Sequence, residues 1–238
     1  MNTAIILAGG VGSRFGADRP KQFVEVLGKP ILVYTIEIFQ NHPEIDAIEV
    51  VCVKSHIDYL KELVEKYNLT KVKWITEGGK EFQHSVINGI NNLKGKIEDE
   101  DIVLVQYGAS PFVTDDIITD AIRVCKEKGN SSPAMSSLLL LGNNEGDKST
   151  KWIDRDKVLV LNTPQCFKFS YITQLYQEAI EKDLIDKVPP HTAPLMYHMG
   201  REIYLSKSNQ FNLKITNKED LEIFEGYVMM KELKNKNK

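Results

Sequence analysis

The sequence lacks a strong excess of charge of either sign. Its 238 residues carry 30 basic and 33 acidic side chains, for a formal net charge of -3. Non-specific attraction to DNA or to anionic lipid normally requires a basic face, so we expect neither a nucleic acid nor a membrane as partner. A polyanionic ligand would have to be held by a local group of cations.

Cysteine and long apolar runs are also scarce. Cys52, Cys125 and Cys166 lie far apart and belong to no CxxC pair, which argues against a disulfide framework or a structural zinc site. No apolar run approaches the roughly 20 residues that span a bilayer, and the candidate at 138–141 is predicted to be a short strand. The first residues have no basic segment typical of a signal peptide, and we expect a cytoplasmic protein.

What the first half does contain is a regular alternation of short β-branched runs and longer amphipathic stretches. This pattern predicts an α/β fold with a mostly parallel sheet and helices on both faces. Ligands of such sheets bind beyond the carboxyl ends of the strands, so functional residues should follow the strands directly. Strands are predicted at 4–7, 47–53, 72–75 and 101–106, and helices at 31–39, 56–67, 85–93 and 115–128.

The second half departs from this alternation. The small apolar residues of 131–141, a polar turn-rich segment and the apolar run 157–161 predict a hairpin or arm. Helices at 171–182 and 218–233 and a strand at 202–206 follow. Because no internal repeat or biased linker interrupts the chain, we predict a single domain over 1–238.

The strongest local signal is a glycine-rich segment straight after the first strand. Gly9, Gly10 and Gly12 remove side chains where a backbone must approach a ligand, and successive N–H groups there can point at phosphate oxygens. Arg14 and Lys21 add positive charge to the same place. A tight strand-to-helix turn would explain the glycines alone, but the added cations favour a nucleoside triphosphate site.

Two common nucleotide motifs do not fit this segment. A GxGxxG match would place its third glycine at Phe15, and the second strand ends in VCVK without a ribose-binding acid, so a dinucleotide oxidoreductase is disfavoured. The P-loop pattern GxxxxGK[ST] is absent. A molybdopterin nucleotidyltransferase also opens with LAGGxSxRxGxxK, but it lacks the PKQF, TPQ and NLKIT segments found here.

Taken together, the motifs resemble the cytidylyltransferases that make CDP-linked polyols, namely the 2-C-methyl-D-erythritol 4-phosphate and ribitol-5-phosphate enzymes. The resemblance spans nearly the whole chain. The segments that match the family are LAGGVGSR with PKQF and GKPIL, GGKEFQHSVINGI at 78–90, SPF at 110–112, NTPQCF at 162–167, and NLKIT with ED at 212–220.

The resemblance implies a Rossmann-like nucleotidyltransferase fold with a protruding β-arm, 134–157, that reaches a second subunit of a homodimer. It also implies that a phosphate oxygen of a small polyol or sugar phosphate attacks the α-phosphorus of CTP, with pyrophosphate leaving. Two polyanions must be gathered for this step, so cations and Mg²⁺ matter more than a general base. No residue of the chain could be assigned to the metal.

The residues that match the family's functional positions fall into three groups. Ser85 could instead be a helix N-cap, and each cation could be a plain surface residue. The implied catalytic residues are Arg14, Lys21 and Lys214; the nucleotide-binding residues are Leu7, Ala8, Gly9, Gly10, Gly12, Gly79, Ser85 and Ala109; and the substrate-binding residues are Arg155, Ser137, Tyr107 and His191.

The chain departs from the family pattern on the acceptor side. In place of His-Asp-Ala-x-Arg-Pro it has QYGASP, which puts Tyr107 and Ser110 at the aspartate and arginine positions. Phe82 replaces a further arginine, and PHT around His191 replaces Thr-Asp-Asp. The acceptor pocket has therefore been rebuilt, with Tyr107, His191, Asp115 and Asp116 as candidate contacts, or the protein binds CTP without turnover. A rebuilt pocket could take a phosphonate.

Overall fold

A mixed eight-stranded sheet organises the protein in the computed structural model, which describes residues 1–10 and 19–236. The strands are β1 (Asn2–Ala8), β2 (Glu25–Val26), β3 (Lys29–Pro30), β4 (Ala47–Cys52), β5 (Val72–Glu77), β6 (Ile102–Tyr107), β7 (Asn130–Ser136), β8 (Leu141–Gly142), β9 (Trp152–Ile153), β10 (Leu159–Leu161), β11 (Gln165–Lys168) and β12 (Leu205–Lys207). The helices are α1 (Ile31–Asn41), α2 (Ile57–Lys66), α3 (Phe82–Leu93), α4 (Asp115–Lys128), α5 (Phe169–Glu181), α6 (Thr192–His198) and α7 (Lys218–Lys236).

The sheet order is β10-β7-β11-β6-β1-β4-β5, with β12 paired to β7. The four strands β6, β1, β4 and β5 are mutually parallel, whereas β11 runs antiparallel to both β6 and β7. Strand polarity therefore brings the carboxyl ends of the parallel strands to one edge, as the sequence pattern predicted.

Helices cover both faces of the sheet because alternate residues of its strands are apolar on both sides. Ala4 and Ile6 of β1 pack with α1, α2 and α4, while Ile5 between them packs with α3 and α5. A third, smaller cluster joins α7 to β2 and to Phe112, next to the carboxyl end of β6. The predicted α/β architecture is confirmed.

The sequence pattern missed two elements, and one strand prediction was wrong. β11 begins within the TPQCF segment and was not predicted, because four residues are too few to show a period. Helix α6 follows two prolines that had been interpreted only as an interruption. Of the strand predicted at 138–141, only Leu141 is in a strand, and Leu138, Leu139 and Leu140 are exposed.

The predicted arm contains a small antiparallel sheet of β8 and β9. Its first residues still belong to the main sheet, since Ala134 and Ser136 of β7 pair with β10. Beyond them the segment exposes Leu139, Leu140 and Trp152. Within the described ranges, no helix has the length and apolar character needed to cross a membrane.

Candidate active site

The carboxyl ends of β1, β4 and β6 converge on one edge of the sheet. The Gly108 N–H donates to the Leu7 carbonyl at 2.9 Å, and the Val53 N–H donates to the Ala8 carbonyl at 3.1 Å. These bonds continue the ladders past the ends of the regular strands. They fix the backbone from which the glycine-rich segment leaves the sheet.

Gly9 is required where the backbone of that segment passes the turn after β5. A Cβ atom at Gly9 would lie 2.9 Å from the Ser85 Oγ and 3.2 Å from the Gly78 Cα. At Gly79 an added Cβ would lie 2.3 Å from the Cβ of His84. Glycine is needed at both positions because neighbouring atoms already occupy the space of a side chain.

Ser85 ties this turn to helix α3. Its Oγ accepts the Gly79 N–H at 3.1 Å and donates to the Glu81 carbonyl at 3.2 Å. The helix begins at Phe82, with Glu81 at the N-cap position, so the alternative reading of Ser85 as an N-cap was wrong. The helix starts three residues earlier than predicted, which places Ser85 in its first turn, facing the glycines.

A cavity of about 400 Å³, the first cavity, opens above these segments. Gln22 closes one side: its Nε2 donates to the Ala8 and Gly10 carbonyls, each at 2.8 Å. Ten of the predicted site residues line this cavity: Leu7, Gly9, Gly10, Lys21, Gly79, Ser85, Tyr107, Ala109, His191 and Lys214.

The polar lining of the first cavity is mainly cationic. Lys21, Lys80 and Lys214 contribute ammonium groups, and Glu81 is the one carboxylate among the lining residues described. No group of three or more His, Cys, Asp or Glu side chains in the two described ranges could hold a metal ion. The cavity therefore suits a polyanion.

A second cavity of about 450 Å³ adjoins the first and shares Tyr107, His191 and Lys214 with it. Its remaining lining consists of hydroxyl, amide, aliphatic and aromatic groups: Ser110, Leu161, Asn162, Thr163, Gln165, Ala193, Pro194, Tyr197 and Asn212. Lys214 and His191 are the basic residues of this lining, and none of the lining residues described is a carboxylate.

The boundary between the cavities is an aromatic group. Tyr107 Oη lies 2.7 Å from His191 Nδ1, and the Phe82 ring lies 5.6 Å from the Tyr107 ring and 5.4 Å from the His191 ring. Burial raises the pKa of the Tyr107 phenol to about 12, so the hydroxyl stays protonated at neutral pH. Three positions that depart from the family pattern thus meet in one cluster.

Other predicted residues lie elsewhere. Gly12 and Arg14 fall outside the described residues, and Ala8 is buried beneath the first cavity. Ser137 and Arg155 lie in the arm and line neither cavity; Arg155 Nη1 donates to the Leu138 carbonyl at 3.2 Å.

Asp115 and Asp116, the other candidate acceptor contacts, do not line either cavity. They occupy the first turn of α4, where Asp116 is 2.6 Å from Lys207. That ion pair and a hydrogen bond from Thr114 lower the pKa of Asp116. Asp115 and Asp116 follow the SPF segment closely in sequence, but the buried residues Phe112 and Val113 lie between Ser110 and the helix.

Sequence reasoning assigned no role to several lining residues. They all lie within the PKQF, NTPQCF and NLKIT segments, which served as family markers: Gln22, Asn162, Thr163, Gln165 and Asn212. Their motif membership was the available signal. Two distant segments, 162–165 and 212–214, meet at the second cavity through the Asn212 Nδ2 bond to the Thr163 carbonyl at 2.8 Å.

Known proteins resemble this chain along nearly its full length. Residues 2–230 match the family model described as IspD, 2-C-methyl-D-erythritol 4-phosphate cytidylyltransferase. The ribitol-5-phosphate cytidylyltransferase of Lacticaseibacillus paracasei is 36% identical over 98% of this chain and 100% of its own. The 2-C-methyl-D-erythritol 4-phosphate cytidylyltransferase of Clostridium acetobutylicum is 38% identical over 93% and 94%.

Solved structures agree with the fold. The 4-diphosphocytidyl-2C-methyl-D-erythritol synthase of Anaerococcus prevotii superposes with a TM-score of 0.79 at 23% identity over 96% of both chains. The Thermus thermophilus 2-C-methyl-D-erythritol 4-phosphate cytidylyltransferase gives a TM-score of 0.75 at 22% identity, over 95% of this chain and 98% of its own. The chain therefore belongs to the 2-C-methyl-D-erythritol 4-phosphate cytidylyltransferase family and is a nucleotidyltransferase.

Proposed function

We propose that the protein transfers CMP from CTP to the phosphate of a small polyol or sugar phosphate and releases pyrophosphate. The observation that carries the proposal is the pair of adjoining cavities that share Tyr107, His191 and Lys214. The first cavity has the glycine backbone and ammonium groups that a nucleoside triphosphate needs. The second has room and hydrogen-bonding groups for a polyol beside it.

In the proposed step, an acceptor phosphate oxygen attacks the α-phosphorus of CTP. The bond from that phosphorus to the oxygen bridging the β-phosphate breaks, and pyrophosphate carries away the bonding electron pair. Lys21 and Lys214 stabilise the negative charge that crowds the transition state. Arg14 is proposed as a further ligand of the triphosphate on the strength of its motif. The phosphate nucleophile is already ionised, so no general base is required.

A divalent cation, Mg²⁺ in the proposal, would be held mainly by the nucleotide. Magnesium sites in such enzymes commonly combine one or two carboxylates with substrate phosphates. Glu81 is the lining carboxylate that could contribute. The metal would add positive charge at the phosphates. The protein's own contribution is to bind and orient both polyanions with its lysines and backbone N–H groups.

The acceptor is proposed to be a polyol phosphate of the ribitol 5-phosphate or 2-C-methyl-D-erythritol 4-phosphate type. Identities of 36% and 38% to relatives named for these two substrates do not separate them. The cluster of Phe82, Tyr107 and His191 favours a second candidate, the same chemistry on a different acceptor such as a phosphonate. It does so because three departures from the family pattern converge on the acceptor side.

The direct test measures pyrophosphate release with CTP, Mg²⁺ and a panel of pentitol, tetritol and sugar phosphates and phosphonates. We expect turnover with at least one member and loss of it in Lys21→Met. The matched control is Lys168→Met, since Lys168 pairs with Glu100 at the opposite end of the sheet. CTP binding without turnover on any acceptor would instead support the non-catalytic alternative.

We further propose that the arm forms a homodimer and that Arg155 contacts substrate in the partner's site. Leu139 and Leu140 are 71% and 86% exposed, which is costly for apolar side chains unless another surface covers them. Leu139→Ser with Leu140→Ser should yield monomers in sedimentation velocity, whereas Leu233→Ser on α7 should not. Unchanged dimers in the arm variant would contradict this.

The sharing of a site between subunits has its own test. Lys21→Met and Arg155→Met are each expected to be inactive as homodimers. After unfolding and refolding together, half of the dimers would be mixed and each would keep one intact site. About a quarter of wild-type activity should return by this statistical argument. No recovery would mean that Arg155 serves its own subunit or neither.

A further inference from the structure

The ammonium group of Lys214 sits over the face of the Tyr107 ring. Its Nζ lies 3.7 Å from the ring centroid, well within the distance at which a cation is attracted by the negative face of an aromatic ring. Both residues line both cavities. The contact therefore stands where the proposed nucleotide and acceptor would meet.

The Tyr107 ring is held from several sides. Its hydroxyl lies within hydrogen-bond distance of His191 Nδ1, at 2.7 Å. The two rings meet edge to face, with centroids 5.9 Å apart, and Phe82 packs against both. The next residue, Gly108, is fixed to Leu7 of β1. A ring restrained in this way can act as a rigid support.

An aromatic ring holds a lysine ammonium in a different way from a carboxylate. A lysine ammonium has three N–H donors, and a carboxylate partner would engage one or more of them in hydrogen bonds. A ring face attracts the charge without accepting a strong hydrogen bond. The Tyr107 ring therefore attracts the Lys214 ammonium without itself occupying one of its donors.

We propose that Tyr107 is a positioning residue that holds the Lys214 ammonium at the boundary of the two cavities through its ring face. The inference deepens the proposed function and rests on it for its kinetic consequence. His191 and Phe82 act one step further away, by fixing the ring. Tyr107 stands where the family's pattern has an aspartate.

The first test reads the contact without turnover. In enzyme labelled with ¹³C at the lysine ε-carbon, the ring current of Tyr107 should move the Lys214 methylene signal upfield of the other lysines. Lys214→Arg assigns the signal by removing it. Tyr107→Leu should return it to the range of the others, and Tyr107→Phe should leave it upfield. An unshifted signal in the wild-type enzyme would overturn the proposal.

The second test varies the ring's charge distribution at nearly constant shape. Starting from Tyr107→Phe, phenylalanines with one to five ring fluorines weaken the attraction stepwise. The kcat for CMP transfer should fall progressively, by about 10-fold across the series, from the usual strength of such contacts. The same series at Phe112 is the control, since that ring packs against Phe224 and Tyr227. A flat series at Tyr107 would overturn the proposal.

The two tests separate this inference from the function on which it rests. Absence of turnover on every acceptor, with the upfield Lys214 signal present, would refute the proposed function and leave the contact established. Turnover with a flat fluorine series would refute the positioning role alone. Loss of folding in Tyr107→Leu would be seen by circular dichroism, and the fluorinated series, which keeps a ring in place, would then decide.

Discussion

The first cavity is shaped mainly by close-packed backbone, and the second mainly by side chains. The first rests on backbone: Gly9 and Gly79 pass so close to neighbouring atoms that no side chain fits. The second rests on side chains brought from distant segments, with the Asn212 amide bonded to Thr163 and the Gln165 amide 3.5 Å from the Ser132 hydroxyl. Side chains can be substituted without moving the sheet, whereas a change in the glycine backbone of the first cavity would displace the strands that carry it. The nucleotide side of such a protein should therefore stay constant while its acceptor side changes.

The largest expected effect falls on the residue that both cavities share. Lys214→Met should lower kcat by about 100-fold or more, the usual result of removing a preorganised group that stabilises transition-state charge. Pyrophosphate release under saturating CTP and acceptor measures it, with Lys168→Met as the control of equal charge change. A variant that raised only the KM for CTP would assign Lys214 to the first cavity alone and so sharpen the comparison.

A buried carboxyl group in the parallel part of the sheet makes the stability of the protein sensitive to pH. Glu49 of β4 is fully buried; its Oε1 accepts hydrogen bonds from Thr76 and Asn92, and its Oε2 has no partner among the described residues. Burial raises the pKa of Glu49 from 4.5 to about 7. The folded protein therefore holds this proton more tightly than the unfolded chain does.

The free energy of unfolding should accordingly fall as pH rises from about 4.5 to about 7 and level off above that. The loss is roughly 3 kcal/mol for the shift of the Glu49 pKa. Urea denaturation at several pH values measures it. Glu49→Gln should remove this slope and be the more stable protein at pH 8, whereas exposed Glu62→Gln should keep it. A slope that persists in Glu49→Gln would assign it to other groups.

A smaller effect tests the claim that no side chain fits at Gly9. Gly9→Ala forces its new methyl against Ser85 and Gly78, and overpacking of this kind typically costs about 1–3 kcal/mol. Gly10 is the matched control because no atom of the described residues lies within 4 Å of a Cβ built there. Thermal melts should show a lower Tm for Gly9→Ala than for Gly10→Ala. Equal melting temperatures would show that this backbone can shift after all.

The same contrast explains how much the sequence could predict. The strands of the parallel half and the convergence of Gly9, Lys21 and Ser85 followed from period, glycine spacing and family motifs, since these are local in the chain. The joining of Tyr107 to His191 could not be predicted from local patterns. It depends on α6, a short helix after two prolines, which brings a residue 84 positions away to the end of β6.

The smallest predicted effect lies in the second cavity, at Ser110. Its hydroxyl is buried and has no hydrogen-bond partner in the part of the chain that the structure describes, although the residue lines the cavity. An unsatisfied buried hydroxyl contributes nothing to stability. The free energy of unfolding of Ser110→Ala should therefore equal that of the wild type or exceed it by up to about 1 kcal/mol.

If the second cavity takes a polyol, the same variant should bind its acceptor less well. Losing one hydrogen bond of about 1 kcal/mol would raise the acceptor KM roughly fivefold and leave the KM for CTP unchanged. Ser206→Ala on β12 is the control, since that hydroxyl is also buried and has no hydrogen-bond partner among the described residues, but lines neither cavity. A rise in the KM for CTP instead would place Ser110 on the nucleotide side and remove the division between the cavities.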